Sequence, residues 1–285
     1  MHSSSAREYA RAGCVRLESL LTPQELALPR AECDNLRRNT SDADLIAADC
    51  VVDIAPGAAF ADGDASRCDS AAYLAVRDGD PAVGPIVLEV LASAASAVIS
   101  AKPNLFNEHY VCKPARVAGE FYWHTDAAHQ CEALIALGQA SEAVQYVSAW
   151  VALDDVEADN GALILLPADR PQPPDASCLL PASSATEAWL GDVGRHQHAV
   201  TTLGMRAGDA LLFSSLLWHC SEPNRSPAVR RAYYAQYSSG TVGTPGAPLA
   251  LAVPTKPDAA RMERVHVGAL PPAGAHGASK RKRTS

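Results

Sequence analysis

Two histidines and one aspartate stand out among the residues that could bind a metal ion. His124 and Asp126 are two positions apart in the segment 121–126, and in a β-strand this spacing places both side chains on one face. His219 follows the mostly apolar run 210–218. Either part alone also fits an ordinary surface pair or a hydrogen-bonded rim histidine. Together, two imidazoles and one carboxylate can cover one face of an octahedral Fe(II) ion and leave three positions open.

An arginine follows at a useful distance along the chain. Arg230 lies eleven residues beyond His219 and precedes the strand-like run 232–237. A cosubstrate such as 2-oxoglutarate chelates iron through its keto acid and presents a second carboxylate, for which a guanidinium group is a natural partner. Arg231 is adjacent, so alternation along a strand turns one of the two arginines towards solvent.

The elements that must position these residues are mostly strands. Strand-like runs separated by turn dipeptides indicate antiparallel sheets folded into a barrel or jelly roll; they occupy 110–112, 121–123, 144–153, 162–166, 210–218 and 232–237. The segment before them predicts a helix at 5–11, a strand at 14–17, a second helix at 23–38 that begins with a Thr22–Glu25 capping box, and a third at 81–100. Residues 39–80 read as surface loops around a short strand at 51–54.

The domain organisation follows from these elements. We expect a single domain over 1–270, with an N-terminal helical part at 1–105 and a β core at 106–240. The insert 171–198 contains four prolines and a helix near 185–190, and we expect it to act as a lid at the barrel rim. The tail 271–285 is predicted to be disordered and basic.

Composition excludes several classes of protein. The 285 residues are 48% hydrophobic and carry a net charge of −8, which argues against a surface that binds nucleic acid. The charge-free apolar stretch 90–101 is too short for a membrane span, and the first residues lack the pattern of a secretory signal. Eight cysteines without a CxxC pair favour free thiols in an intracellular, cytoplasmic protein over a disulfide framework. The basic run 280–283 leaves nuclear import or a phosphate contact as the alternative to a solvated end.

Five separate motifs resemble one family in the family's order. From about Tyr9 to about Ser239 the chain resembles the phytanoyl-CoA dioxygenase family of Fe(II)- and 2-oxoglutarate-dependent oxygenases. The resemblance is carried by an N-terminal strand and helix at 9–15 and 21–26 and by a first metal motif at 120–126. A central strand pair follows at 150–155 and 160–163 with 166–167, and a distal motif at 219–226 with Arg230. Residues 166–170 depart from the Pro-Gly-Ser-His that the family has there, and the insert 171–198 has no counterpart that we can match.

The resemblance implies a fold, cofactors and site residues. The fold is mainly β with flanking helices around a double-stranded β-helix core, also called a jelly roll or cupin-like core. The reactants are Fe(II), 2-oxoglutarate and O₂. His124, Asp126 and His219 are the implied iron ligands, with no further catalytic residue. The cosubstrate site would consist of Arg230, Ser221, Lys113 and Trp150. Because Asp126 is present where halogenating relatives have Ala or Gly, the resemblance favours hydroxylation, or desaturation or ring chemistry, over halogenation.

The substrate is not defined by these motifs. We expect a small-molecule metabolite, with succinate and CO₂ as co-products, and a pocket near Tyr122, Trp123, His129 and Trp218, although such aromatic residues also occur in barrel cores. Acyl-CoA specificity does not follow from the family name. One alternative is a catalytically silent β-helix module used for binding. The three implied iron ligands and Arg230 argue against it, because a binding module has no reason to keep four converging polar groups that are costly to bury. An oxygenase acting on nucleic acid or protein is the other. No oligomeric state is predicted.

Overall fold

The computed structural model describes residues 4–54, 77, 79–99, 101–117, 119–128, 146–174, 183–192, 201–239, 242–244, 247–250 and 253–271. Its helices are α1 Ser4–Ala12, α2 Pro23–Leu36, α3 Asp42–Ala47, a π-helical segment Ile86–Leu91 continued by α4 Ala92–Ile99, a 3₁₀ turn Ala158–Asn160, α5 Ser184–Gly191 and α6 Ala259–Met262. Its strands are β1 Cys14–Glu18, β2 Val51–Asp53, β3 Asn104–Lys113, β4 Phe121–His124, β5 Tyr146–Ala152, β6 Leu163–Leu165, β7 Thr201–Leu203, β8 Ala210–Ser214, β9 His219–Ser221, β10 Arg230–Ser238, β11 Val242–Thr244, β12 Ala247–Ala250, β13 Val253–Pro254 and β14 His266–Gly268.

Most strands belong to one large antiparallel sheet. Its order is β13-β3-β10-β5-β8-β1-β14, and β2 pairs with β3 beside that path. The central strand β10 pairs with β3 on one side and with β5 on the other, so that Tyr234 lies between His109 and Trp150. Burial on both faces explains why β5 is buried at every position.

A smaller antiparallel sheet faces the large one. Its order is β4-β9-β6-β7, and a two-stranded ribbon of β11 and β12 stands apart. Apolar side chains from both sheets meet in an inner cluster that includes Trp150, Leu163, Leu165, Phe213 and Tyr234. Within the described residues, neither sheet closes on itself, and the space between them is where the predicted site residues gather.

The N-terminal helices cover the other face of the large sheet. The predicted capping box at the start of α2 is present: the Thr22 hydroxyl accepts from the Glu25 amide, and the Glu25 carboxylate accepts from the Thr22 amide. The side chains of β1, β5 and β8 that point away from the inner cluster pack against α2, α4 and the π-helical segment. This layer fixes the large sheet as a platform for the site.

The described part of the insert packs behind the small sheet. In β6, Leu163 and Leu165 belong to the inner cluster, whereas Ile164 joins an outer cluster with Leu190 of α5 and Trp218. The helix expected near 185–190 is confirmed as α5. The other parts of the insert at 175–182 and 193–198, and the tail from 272 onwards, lie outside the described residues.

Two expectations about local structure were wrong, and one segment had no prediction. The region 39–80 was predicted as loops around one strand, but it contains α3, which begins with a second capping box between Ser41 and Asp44. The run 210–218 is not one strand, because β8 ends at Ser214 and the chain crosses to the small sheet before His219. The segment after 253 adds β13, α6 and β14, for which no prediction was made. Among the described residues, no helix is both long and apolar enough to cross a bilayer.

Candidate metal centre

The three predicted metal ligands converge at one point. One ligand atom from each of His124, Asp126 and His219 lies within 4.8 Å of the others. Asp126 Oδ1 is 3.6 Å from His219 Nε2, and the two imidazole centroids are 4.2 Å apart. His124 is the last residue of β4, Asp126 follows it two positions later, and His219 begins the neighbouring strand β9. His124 and His219 are direct partners in the pairing of β4 with β9.

Hydrogen bonds to the backbone fix the tautomer of both imidazoles. His124 Nδ1 lies 2.6 Å from the carbonyl oxygen of Tyr122, and His219 Nδ1 lies 3.0 Å from that of Leu217. A carbonyl oxygen can only accept, so each Nδ1 carries a proton, and Nε2 is the nitrogen that each ring offers to a metal ion. A second hydrogen bond of this kind orients most metal-binding histidines in proteins.

Asp126 is ionised, although it is buried. Burial alone would raise the pKa of its carboxyl group, but the two histidines and hydrogen bonds from Ser148 and Tyr234 outweigh it, so the pKa lies below its ordinary value. Ser148 Oγ donates to Asp126 Oδ2 at 2.6 Å, and the Tyr234 hydroxyl donates to the same oxygen. Two imidazoles and one carboxylate are a donor set that suits Fe(II).

The backbone brings His124 and Asp126 together in a different way from the one predicted. We expected both residues on one strand, but β4 ends at His124 and Asp126 begins a short helical turn over 126–128. The pairing of β4 with β9 also contains a bulge: Phe121 is opposite Ser221 and His124 is opposite His219, so three steps along β4 match two along β9. The bulge allows both Phe121 and His124 to face the inner cluster.

Arg230 and Lys113 form a buried cationic pair at one end of the inner space. They are partners across β10 and β3, and each is 1% exposed. Arg230 Nη2 donates to the Gly161 carbonyl at 2.9 Å, whereas Arg230 Nη1 is buried and has no hydrogen-bond partner among the described residues. Within that same part of the chain, neither cation forms an ion pair with a carboxylate. Arg231 turns outward to Asp154 and Asp34, as alternation predicts.

Burial strongly disfavours the charges of this pair. It lowers the pKa of Arg230 to about 10. Burial and, second, the charge of Arg230 lower the pKa of Lys113 to about 7. Lys113 Nζ donates to the carbonyl oxygens of Ser221 and Glu222, which supply partial negative charge and no compensating carboxylate. The pair therefore has the chemistry of an anion site.

The structure places the other predicted cosubstrate residues nearby. Trp150 lies beneath the Arg230 guanidinium, 5.4 Å from ring centroid to Cζ, and forms part of the inner cluster. Ser221 is buried on β9, and its carbonyl oxygen accepts from Lys113. At Gly161, which has φ +87°, an added Cβ would lie 2.9 Å from Lys113 Cδ and 3.4 Å from Arg230 Nη2. Glycine at this turn therefore keeps space open around both cations.

The predicted substrate-pocket residues are dispersed. Tyr122 is 78% exposed, and His129 lies outside the described residues. Trp218 and the partly buried Trp123 pack in the outer cluster with Leu190 of α5. This placement favours a packing role for both indoles over a role as pocket walls.

Sequence reasoning missed a polar row on the inner face of the large sheet. The row lies next to Asp126, and its members are Asn107, His109, Ser148, Tyr234 and Gln236. Burial lowers the pKa of His109, which stacks on Tyr234, to about 4, so its imidazole is neutral near pH 7. The only available signal was alternation along β10, because 230, 232, 234 and 236 share one face.

Comparisons with known proteins agree with this geometry. The sequence profile described as phytanoyl-CoA dioxygenase (PhyH) matches residues 9–232. No curated protein matches the chain significantly.

Three solved structures illustrate the fold that the chain shares. The carbocyclase SnoK from nogalamycin biosynthesis, described as non-haem and α-ketoglutarate-dependent, has a TM-score of 0.61 at 17% identity, with 89% of this chain and 96% of that chain covered. The epimerase SnoN from the same biosynthesis has a TM-score of 0.55 at 20% identity, covering 90% and 95%. EctD from S. alaskensis, with 2-oxoglutarate and 5-hydroxyectoine, has a TM-score of 0.56 at 21% identity, covering 92% and 86%. The predicted fold class, mainly β with flanking helices around a double-stranded β-helix core, is thereby confirmed.

Proposed function

The chain belongs to the phytanoyl-CoA dioxygenase family and is an Fe(II)- and 2-oxoglutarate-dependent oxygenase, and from this premise we propose that it hydroxylates a small-molecule metabolite with release of succinate and CO₂. The observation that carries the proposal is the convergence of His124, Asp126 and His219. We assign these three side chains as the iron ligands, and Arg230 as the partner of the distal carboxylate of 2-oxoglutarate.

The residues present fit both groups. For the metal, the two Nε2 lone pairs and the ionised carboxylate are a facial donor set with open positions beside it. For the cosubstrate, Arg230 Nη1 is a buried donor without a partner in the described part of the chain, and leaving such a group unpaired is costly. A carboxylate that accepts from Nη1 removes this cost, and the adjacent Lys113 adds a second donor.

When bound, Fe(II) and 2-oxoglutarate together reduce O₂ and supply the oxidant that removes a hydrogen atom from the substrate. The protein's part is to hold these reactants in place and exclude water. The backbone carbonyls of Tyr122 and Leu217 keep the imidazoles oriented, with Nε2 as the nitrogen free to bind a metal ion. Arg230 and Lys113 offset the charge of the cosubstrate, and the face of Trp150 limits where its carbon chain can lie. The apolar inner cluster strengthens these charge interactions because it excludes water.

The carboxylate ligand supports hydroxylation. A side chain without a carboxylate at position 126 would free a coordination site for a halide, and Asp126 occupies that site instead. The solved structures of this fold include an epimerase, a carbocyclase, and EctD in complex with 2-oxoglutarate and 5-hydroxyectoine. Product analysis therefore has to distinguish oxygen insertion from hydrogen loss and ring formation.

The polar row beside Asp126 supports a small polar substrate. Asn107, His109 and Gln236 present amide and neutral imidazole groups to the inner space, next to the proposed ligands. Such groups recognise hydroxyl or amide functions by hydrogen bonds. The acidic net charge gives no support to a nucleic-acid substrate.

Anaerobic addition of Fe(II) and 2-oxoglutarate tests the proposal. We expect a weak visible absorption band with the parent protein, no band with His219→Ala, and an unchanged band with His266→Ala, whose side chain is 78% exposed on β14. A metabolite panel scored for substrate-stimulated succinate then identifies the substrate class. Absence of both the band and succinate formation in the parent would leave the binding-module alternative. Deletion of 271–285 should not change turnover on small molecules.

A further inference from the structure

One oxygen of the Asp126 carboxylate is fully engaged by the protein. Oδ2 accepts a hydrogen bond from Ser148 Oγ and another from the Tyr234 hydroxyl, while Oδ1 faces His219 Nε2. A carboxylate oxygen has two lone pairs, so these two donors use the whole accepting capacity of Oδ2 in the carboxyl plane. Only Oδ1 retains lone pairs that can bind a metal ion.

Counting hydroxyl protons supports this arrangement. Tyr234 and Ser148 each carry one hydroxyl proton, and three close contacts link them with each other and with Asp126; the oxygens of Tyr234 and Ser148 are 2.8 Å apart. An ionised carboxylate is a stronger acceptor than a neutral hydroxyl, so both protons point to Asp126. The lone pairs of the phenol oxygen then face a different donor.

Two amides supply that donor and fix its direction. Asn107 Nδ2 donates to Gln236 Oε1 at 2.9 Å, which turns the Gln236 NH₂ group towards the phenol oxygen of Tyr234, 2.8 Å away. These hydrogen bonds therefore form a chain with a single direction. Asn107 donates to Gln236, Gln236 donates to Tyr234, and Tyr234 donates to Asp126, which is the final acceptor. Hydrogen bonds aligned in this way polarise and strengthen one another.

We propose that Tyr234 and Ser148 act as a hydroxyl clamp that restricts Asp126 to one metal-binding oxygen, and that Tyr234 is a positioning residue for the metal centre. The inference rests on the proposed function in taking His124, Asp126 and His219 as the metal site. The clamp prevents the carboxylate from rotating to chelate the ion with both oxygens. It also preorganises Oδ1, because the side chain is held before the metal arrives.

Metal affinity without turnover tests the clamp. Mn(II) is the probe, with the free ion counted by its electron paramagnetic resonance signal in titrations of the parent protein, Tyr234→Phe and Ser148→Ala. Loss of an outer hydrogen-bond partner of a metal ligand typically weakens metal binding ~10–100-fold. We expect at least about a ten-fold rise in the Mn(II) dissociation constant for each variant.

Tyr237→Phe is the matched control. Tyr237 is on the same strand, and its hydroxyl donates to the Val87 carbonyl on the helix-covered face, away from the ligands. Tyr237→Phe removes one buried hydrogen bond and should lower Tm by about 2–4 °C, whereas Tyr234→Phe removes the bond to Asp126 and the bond from Gln236 and should lower Tm by more. Only Tyr234→Phe should weaken Mn(II) binding, which a purely structural role for the hydroxyl would not produce.

The outcomes separate the clamp from the proposed function. Mn(II) binding by Tyr234→Phe and Ser148→Ala that is as tight as in the parent overturns the clamp and leaves the metal site intact. If Tyr234→Phe does not fold, Ser148→Ala decides alone, since it removes one of the same two donors. A parent protein that binds Mn(II) no better than His219→Ala overturns the metal site, and the clamp with it.

Discussion

Replacing Arg230 with methionine should separate two roles of one buried side chain. The guanidinium group is buried, its Nη1 has no hydrogen-bond partner among the residues that the structure describes, and its other bonds go to the carbonyls of Asn160 and Gly161. Methionine retains an unbranched apolar stem, lacks the guanidinium group and carries no charge. It removes the cost of the unpaired donor but leaves two carbonyls without their partner. These terms oppose each other, so we expect the free energy of unfolding without ligand to change by only ~1 kcal/mol.

The effect on the bound state should be much larger. A hydrogen bond to a charged group contributes ~1.5–3 kcal/mol, so losing the carboxylate partner should raise the Kd for 2-oxoglutarate roughly 10- to 150-fold. With 2-oxoglutarate at ~100 times the parent Kd, binding stabilises the parent by about 2.7 kcal/mol. A variant that binds ~30-fold more weakly would gain only about 0.9 kcal/mol at the same concentration.

Thermal and chemical unfolding with Mn(II), with and without 2-oxoglutarate, measures both quantities. Arg230→Lys keeps the charge but loses the paired donors of the guanidinium group. Its stabilisation by 2-oxoglutarate should therefore lie between that of the parent and that of Arg230→Met. Arg231→Gln is the matched control: it removes one positive charge from the neighbouring position, which faces Asp154 and Asp34. If Arg230→Met keeps the full stabilisation by 2-oxoglutarate, or Arg231→Gln loses it, the assignment of the carboxylate site is wrong.

Three further predictions follow from burial. The pKa of His109 is about 4 in the folded protein and ~6.5 in the unfolded chain, so the stability that its neutral form contributes is complete above pH ~6.5 and is lost as the pH falls towards 4, by up to ~3 kcal/mol. In urea titrations from pH 7 to 4.5, the free energy of unfolding of His109→Phe should therefore fall less steeply than that of the parent. Parallel curves for the two proteins would refute this prediction. Lys113 has a pKa of about 7, and a bound dianion beside it should raise that pKa. Binding of 2-oxoglutarate at pH 8 should therefore take up protons, which calorimetry detects as a binding enthalpy that depends on the buffer. The same proton uptake by Lys113→Met would contradict the assignment of Lys113 to this site. Leu190→Ala should lower the free energy of unfolding by ~2–5 kcal/mol, because α5 buries this side chain behind the small sheet. The control Leu28→Ala, at a side chain that is 38% exposed, should lower it by less than ~0.5 kcal/mol. Equal urea midpoints for the two variants would exclude α5 from the folded core.

The sequence allowed prediction wherever chemistry or periodicity is local. The Thr22–Glu25 capping box, the alternating strands and the direction of Arg230 against Arg231 depend only on near neighbours in the chain, and the structure reproduces them. The proposed metal ligands were predicted from residue types and from motif order. Their convergence is a property of the fold, which motif order indicates and spacing alone does not.

The errors arose where tertiary structure overrides a local pattern. The run 210–218 is apolar throughout, so periodicity gives no sign that the chain leaves the large sheet at Ser214 and enters the small one at His219. The bulge in β4 and the helical turn at Asp126 also depend on pairing with β9. Helix α3 was missed although the Ser41–Asp44 signal is local, because the polar composition of 39–80 resembled a loop.

The hydroxyl clamp was beyond sequence reasoning for a physical reason. Tyr234 and Ser148 are ordinary residues for a buried strand, and nothing nearby in the chain marks them as partners of Asp126. Their contact depends on the register of β10 against β5 and on the turn that carries the carboxylate. A register shift of one residue in either strand would point the hydroxyl of that strand to the helix-covered face.

The pairing of β1 in the large sheet has a consequence for how the protein is made. The partners of this strand lie far along the chain: they are β8, with Val15 opposite Leu212, and β14, with Leu17 opposite Val267. Roughly two hundred residues must therefore be synthesised before β1 gains its first ladder, and β14 arrives later still. During that interval the nascent chain carries an unpaired apolar strand, which is a natural target for chaperones and a weak point for aggregation during expression.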